Sequence, residues 1–231
     1  MGVPRTAPGG VTEPTDNAGS RAFNEVMSEI TSAAELRELL GEPTPRAATK
    51  DRTRLHPRDR EWIATAPFVV LATSDADGNC DASPKGDPAG FVHVIDDRTL
   101  AVPERPGNRR GDGYFNILSN PHVGLIFLIP GRNETLRVNG RARLVRDAPY
   151  FDELVVKGHR PILAVEVAIE QIFFHCAKAF LRSELWRPER WPADPLPSHA
   201  VLVKEVQHNT TESLAELQEY YSPENYRRML Y

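Results

Sequence analysis

Arg105-Pro106-Gly107-Asn108-Arg109-Arg110 gathers three guanidinium groups around one turn. Pro, Gly and Asn favour a turn for local backbone reasons. The turn follows a short apolar run, Leu100 to Pro103, and precedes a segment that reads as helix, with Tyr114, Phe115, Ile117 and Leu118 on its expected buried side. Arg109 and Arg110 fall at the expected start of that helix. A helix N-terminus carries unpaired N–H groups and partial positive charge, so arginines there oppose the dipole. A bound anion resolves the conflict, because guanidinium forks and free amides can share its oxygens. Two adjacent arginines alone are most simply a solvated face. The Pro-Gly-Asn turn and the third arginine, Arg105, shift the reading toward an anion site suited to a phosphate.

Other candidates are single residues on neighbouring segments. Ser83-Pro84-Lys85-Gly86-Asp87 stands where a strand is expected to run out into a loop. The turn explains Gly86, Asp87 and Pro88 but does not require Lys85. Arg137 lies in an otherwise packing-dominated strand, and His175 and Lys178 follow the last expected strand, near a helix start. Each of these is ordinary surface chemistry when taken singly. Together with the arginine turn they supply the parts for a planar aromatic ligand with a phosphate tail. The chain has no nucleophile elbow, Walker loop, zinc-protease pair or dinucleotide glycine fingerprint. Its seven histidines are scattered without ligand spacing, so no metal site is expected. The acidic residues read as surface charge, and no residue is assigned as proton donor.

The 231 residues must position these groups. At 40% hydrophobic and 26% charged, the composition is that of a soluble globular chain. A net charge of −4 makes any positive site local and argues against a general nucleic-acid role. Two cysteines, Cys80 and Cys176, build no disulfide framework. No membrane-spanning run and no signal-peptide order are present, so the expectation is a cytoplasmic protein.

Residues 1–20 are rich in Gly, Pro, Thr and Ser and read as a disordered tail. Residues 21–66 read as a helical segment. It comprises the spacing Phe23, Val26, Met27 and Ile30, a capping box at Ser32 and Glu35, and a helix opened by Pro57. From residue 67 the texture is β. Pro67 to Ser74 and Asn79 to Lys85 form one hairpin, and Phe91 to Ile95 with Thr99 to Val102 a second. Val123 to Ile129 is a buried strand. Glu134 to Val145 alternates Leu136, Val138, Gly140, Ala142 and Leu144 with polar residues. A short helix over Ala148 to Val156 and a strand over Ile162 to Phe174 follow. Six or seven antiparallel strands around one inserted helix suggest a closed barrel. Residues 67–186 make the barrel domain. Residues 187–231 are a Pro-rich link and a helical region through Leu214, Leu217, Tyr220 and Tyr221, with a last turn or helix from Pro223 to Leu230.

With these residues in hand, residues 67–146 resemble the FMN-binding split barrel of the pyridoxamine 5′-phosphate oxidase superfamily. The resemblance rests on Leu100-Ala-Val-Pro103, Pro106 to Arg110, Asn116 to Pro121, Val123 to Ile129 and Leu136 to Leu144. Ser83 to Asp87, Glu134 to Gly140 and His175 to Ala179 are similar to an FMN-binding branch of that superfamily, and the likeness extends over roughly residues 20–190. It implies a mainly β fold, an antiparallel split barrel with peripheral helices. It implies a homodimer with FMN at the subunit interface and an FMN-dependent oxidoreductase acting on a small molecule. Asn108, Arg109 and Arg110 take the place of the phosphate clamp, with Arg105 as helper. Ser83 and Lys85 fall near the ring or ribityl chain, Lys85 being the candidate cation for the N1–C2 carbonyl edge. Arg137, His175 and Lys178 reach the neighbouring chain's flavin. The Trp186 to Pro197 stretch departs from the C-terminal substrate-binding pattern of true pyridoxamine phosphate oxidases, so the resemblance does not extend to vitamin B6 as substrate. A deazaflavin reductase on the same fold, or a flavin-binding sensor without turnover, are the alternatives.

Overall fold

Strand-forming residues with period-two burial govern the chain from Phe68 to His175, and the sheet they build positions every candidate group. A computed structural model describes residues 28–231. The tail of residues 1–20 and the spacing Phe23, Val26 and Met27 lie outside the described residues, and Ile30 belongs to no helix. Two compact units result, one ending at Ala48 and one running from Thr49 to Tyr231.

In the first unit, helix α1 is Ala33–Leu40 and α2 is Pro45–Ala48. The Ser32 hydroxyl accepts from the Glu35 N–H at 3.1 Å, which caps α1. The reciprocal bond reaches one residue further back than a capping box requires, from the Thr31 N–H to the Glu35 carboxylate at 3.2 Å. Gly41, at φ +70°, ends the helix.

The second unit begins with α3, Pro57–Thr65. Asp59 caps it by accepting from the His56 N–H at 2.7 Å, and the same fully buried carboxylate pairs with the Arg52 guanidinium. The strands are β1 (Phe68–Ser74), β2 (Cys80–Gly86), β3 (His93–Val94), β4 (Thr99–Glu104), β5 (His122–Leu128), β6 (Thr135–Val145) and β7 (Leu163–His175). Helix α4, Asp112–Ser119, lies between β4 and β5, and a 3-10 helix spans Pro149–Leu154. After β7 come α5 (Lys178–Ser183), α6 (His199–Val206), α7 (Leu214–Tyr220) and α8 (Pro223–Arg228). The sequence reading does not anticipate α6.

All seven strands form one antiparallel sheet in the order β2-β1-β5-β6-β7-β4-β3. Its concave face buries Val69, Leu71, Leu125, Phe127, Leu136, Val138 and Ile172, with Ile63 of α3 and Ile117 of α4 packed on them. The expectation of a closed ring is corrected. No backbone ladder joins β2 to β4, and β3 pairs only with Leu100 and Ala101 of β4. The end of β4 from Val102 to Glu104 therefore faces the free edge of β2 across a seam. This is a split barrel.

The β6–β7 ladder shifts register between Asn139 and Gly140, where Glu170 of β7 is the extra, unpaired residue and bends that strand. Only glycine fits there, because a Cβ at Gly140 would stand 2.0 Å from the Ala168 carbonyl oxygen. Gly140→Ala is expected to cost about 3 kcal/mol of stability, read from urea unfolding. An unchanged midpoint would mean that the strands spread to admit the methyl.

Candidate functional site

The seam is crossed by side chains. Lys85, the penultimate residue of β2, sits opposite Val69 and so points to the concave face. Its Nζ donates to Glu104 Oε2 at 2.8 Å, at the last residue of β4. One step beyond both strands, Arg105 Nε donates to Asp87 Oδ2 at 2.6 Å. The two pairs cross in sign, with Lys85 and Asp87 on one edge and Glu104 and Arg105 on the other. Both are well shielded: the side chains are 14% and 19% exposed in the first pair, and 12% and 2% in the second.

Helix α4 seats in this opening. Asn116 Nδ2 donates to Thr73 Oγ1 at 3.1 Å, and Asn120, just past the helix, donates to Ser74 Oγ at 3.0 Å. Gly113 lies so close to β1 and β2 that a Cβ would come 3.2 Å from Asp81 Oδ2 and 3.4 Å from Thr73 Oγ1. Two sequence expectations are corrected. The helix begins at Asp112 behind an N-cap Gly111 at φ +71°, so Arg109 and Arg110 belong to the loop before it. Phe115 and Leu118 are 68% and 72% exposed, whereas Gly113 and Ile117 are buried. Eight residues give the helix a narrow inner face, and the tight approach at Gly113 rotates that face away from Phe115 and Leu118.

Between β2, the end of β4, the loop and α4 lies a cavity of about 660 Å³. Ser83, Lys85, Arg105, Asn108, Arg109 and Arg110 all line it. Their side chains differ in what remains free. Arg105 spends its guanidinium within the chain, on Asp87, the Leu154 carbonyl at 2.7 Å and the His159 carbonyl at 3.1 Å. Arg110 pairs with Asp112. Asn108 Oδ1 accepts from the Arg110 N–H at 3.0 Å, which shapes the turn. No hydrogen bond within the described residues engages the Ser83 hydroxyl. Among the described cations of this cavity, Arg109 alone has no partner. Its backbone sits at φ +60°, a conformation that costs a non-glycine residue energy and clusters at ligand clamps.

The sequence reading missed the cavity's other half: Asp81, Glu104, Asp112 and Tyr114. The Tyr114 hydroxyl accepts from Lys85 Nζ at 2.7 Å. Burial, then the hydrogen bond and charge of Glu104, push its phenol far above its ordinary range, so it stays protonated. Nothing in the local sequence pairs Lys85 with residues 19 and 29 positions away.

Arg137, His175 and Lys178 do not line this cavity. Arg137 pairs with Phe173, and His175 with Thr135, on the convex face of the sheet. The Arg137 guanidinium lies 5.2 Å from the Phe173 ring centroid, and its Nε is buried without a hydrogen-bond partner. Lys50, absent from the sequence reading, stands 4.4 Å over the same ring. Burial, then the Lys50 and Arg137 charges, lower the His175 pKa from its ordinary 6.5. Lys178 is the exposed first residue of α5. Among the described residues no group of three or more His, Cys, Asp or Glu side chains is placed to hold a metal, and no helix is long and apolar enough to cross a membrane.

Residues 55–176 match the family model described as pyridoxamine 5′-phosphate oxidase. The chain belongs to this family. The match runs from the approach to α3 through the whole sheet, and so takes in every strand that bounds the cavity. Comparison with curated proteins gives no match. Among solved structures, the chain is similar to a candidate pyridoxamine 5′-phosphate oxidase from Lactobacillus delbrueckii, at 28% identity and a TM-score of 0.42, over 54% of this chain and 99% of that one. It is similar to an FMN-binding protein from Syntrophomonas wolfei, at 15% identity and a TM-score of 0.39, over 52% and 89%. A third likeness is to an F420 reductase, at 20% identity and a TM-score of 0.36, over 50% and 94%.

Two outcomes follow from the geometry. Arg105→Ala leaves the buried Asp87 carboxylate without its counter-charge, with only the Tyr231 hydroxyl still donating to it, and is expected to cost about 3 kcal/mol in urea unfolding, as loss of one partner of a shielded pair does. His175 is expected to titrate below 6.5 by NMR, and Lys50→Met to bring its midpoint upward. In linkage terms the unfolded chain protonates first as pH falls through 6.5, so this group's contribution to stability is full above that pH and is lost below it. A His175 midpoint that ignores Lys50 would mean that the lysine turns away in solution.

Proposed function

We propose that the chain is an FMN-dependent oxidoreductase acting on a small molecule, and a homodimer with FMN at the subunit interface. The observation that carries the reading is Arg109, an unpaired guanidinium on a left-handed loop at the cavity wall. The amides of Gly107, Asn108, Arg109 and Gly111 donate no hydrogen bond within the described residues, which leaves them open to an anion. The cavity volume is in the range usual for small-ligand sites. Family membership supports a flavin as the group concerned.

The residues fit FMN in parts. Asn108, Arg109 and Arg110, with the loop amides, would hold the phosphate. Ser83 offers a free hydroxyl to the ribityl chain, and Lys85 offers a cation to the ring's carbonyl edge. Arg105 serves this site through Asp87 by fixing where the loop leaves β4. Bound FMN supplies reversible two-electron chemistry, which the protein orients and tunes. The exposed Phe115 and Leu118 on α4, and Ile126 on the convex face, give apolar surface for a second copy. In that dimer Arg137, His175 and Lys178 are assigned to the partner's flavin. The buried, unpartnered Nε of Arg137 supports a ligand on that face.

Titration of FMN and riboflavin into wild type and Arg109→Ala tests the reading. Loss of one charge-assisted contact is expected to weaken FMN binding about tenfold to a hundredfold and to leave riboflavin unchanged. Arg109→Lys restores part of the loss, because it keeps the charge without the planar fork. The ligand-free melting temperature stays at the wild-type value, since the Arg109 side chain holds no partner among the described residues. Equal FMN affinity in wild type and Arg109→Ala removes the loop as phosphate clamp. Wild type that binds a deazaflavin but not FMN replaces the cofactor.

A further inference from the structure

Lys85 does not face the cavity as a free cation. An ammonium has three donors. Glu104 Oε2 takes one at 2.8 Å, the Tyr114 phenol oxygen takes a second at 2.7 Å, and one remains for the cavity. The ammonium also lies 4.9 Å from the Tyr114 ring centroid, so its position is fixed on two sides. The three residues come from β2, β4 and α4, which are the three walls that meet at the seam. With both charges mostly shielded from solvent, the Glu104 carboxylate offsets the Lys85 charge at a range where salt screens weakly.

We propose that Glu104 is a positioning residue that holds down the reduction potential of FMN bound in this cavity, by neutralising Lys85 while Tyr114 keeps the ammonium in place. The inference rests on the FMN reading of the site. A hydride from a donor, two electrons and one proton, leaves one net negative charge on the ring system. A lone Lys85 would favour that charge strongly, and a carboxylate 2.8 Å from Nζ opposes it. Glu104 therefore makes the bound, reduced cofactor a stronger hydride donor than the lysine alone would allow. A carboxylate kept only to close the barrel would affect folding and leave the potential where it is.

The test is the potential of the FMN-loaded protein, equilibrated with a reference dye under a chemical reductant. Glu104→Gln keeps the size and a hydrogen-bond acceptor but removes the charge. It is expected to shift the equilibrium toward reduced flavin at least tenfold, about 30 mV for a two-electron couple. Glu104→Asp is expected to stay near wild type, and Tyr114→Phe, which removes no charge, to move less than Glu104→Gln. Lys85→Met is expected to move the potential down, and serves if Glu104→Gln fails to fold. FMN bound with a potential unmoved in Glu104→Gln, or unmoved in Lys85→Met, overturns the inference alone. Wild type that binds no FMN overturns the functional reading beneath it.

Discussion

Two ion pairs of crossed sign do what backbone hydrogen bonds do elsewhere in a barrel. Lys85–Glu104 and Arg105–Asp87 span the seam between β2 and the unpaired end of β4. Ion pairs this shielded contribute little net stability, since desolvation offsets most of the attraction. Their value lies in geometry. A closed ladder would bring the strands to about 5 Å and leave no room for a ligand. Side chains of this length hold the edges apart, and the width they set makes the cavity. Reversed sign along the seam also fixes register, because a slip of the edges would bring like charges together.

Everything around the cavity inherits that constraint. The loop from Arg105 to Gly111 leaves β4 at a point fixed by Asp87, Leu154 and His159. It must then turn sharply to deliver α4 into the gap, and it does so through left-handed backbone at Arg109 and Gly111. Glycine adopts this conformation freely; arginine does so at a cost. The helix that follows is tied to β1 by Asn116 and Asn120 and pressed to Asp81 at Gly113, where any side chain would crowd the carboxylate. The rigid side of the site is thus the sheet and the helix, and the strained side is the loop that carries the unpaired guanidinium.

The strands were readable because burial on one face writes itself into sequence at period two. Leu136, Val138 and Ala142 are buried where the alternation puts them. The hairpin expected from Pro67 to Ser74 and Asn79 to Lys85 closes through a turn in which Asp75 Oδ1 accepts from the Asp77 and Asn79 amides and Gly78 sits at φ +87°. The inserted helix departs from its sequence expectation in two ways that share a cause. Its apolar residues surround it, so periodicity alone does not say which of Phe115, Ile117 and Leu118 turn inward. The glycine that decides the question, Gly113, has no side chain to register in a hydrophobic pattern. Glu104 and Tyr114 were invisible as site residues because their roles depend on Lys85, which is distant in sequence and across the seam. Helix α6 carries its buried Ala200 and Val203 just after the Pro-rich stretch that ends at Pro197, and its eight residues give a short helical signal.

Arg105 and Arg109 make the limit of sequence reasoning concrete. They are the same residue type, four positions apart, beside one cavity. One has every part of its guanidinium engaged by a buried carboxylate and two carbonyls, and the other has no partner among the described residues. Spacing cannot distinguish them, because the difference is made by Asp87, Leu154 and His159, contributed from other parts of the chain. Arg137 looked like one more polar residue of an alternating strand, yet its Nε is buried and unmatched, and Lys50 crowds the same aromatic ring. A charge with a partner inside the chain is part of the scaffold. Among the described residues Arg109 is a charge held in place without such a partner, whereas Arg137 keeps the Phe173 ring beside its guanidinium and leaves only its Nε unmatched.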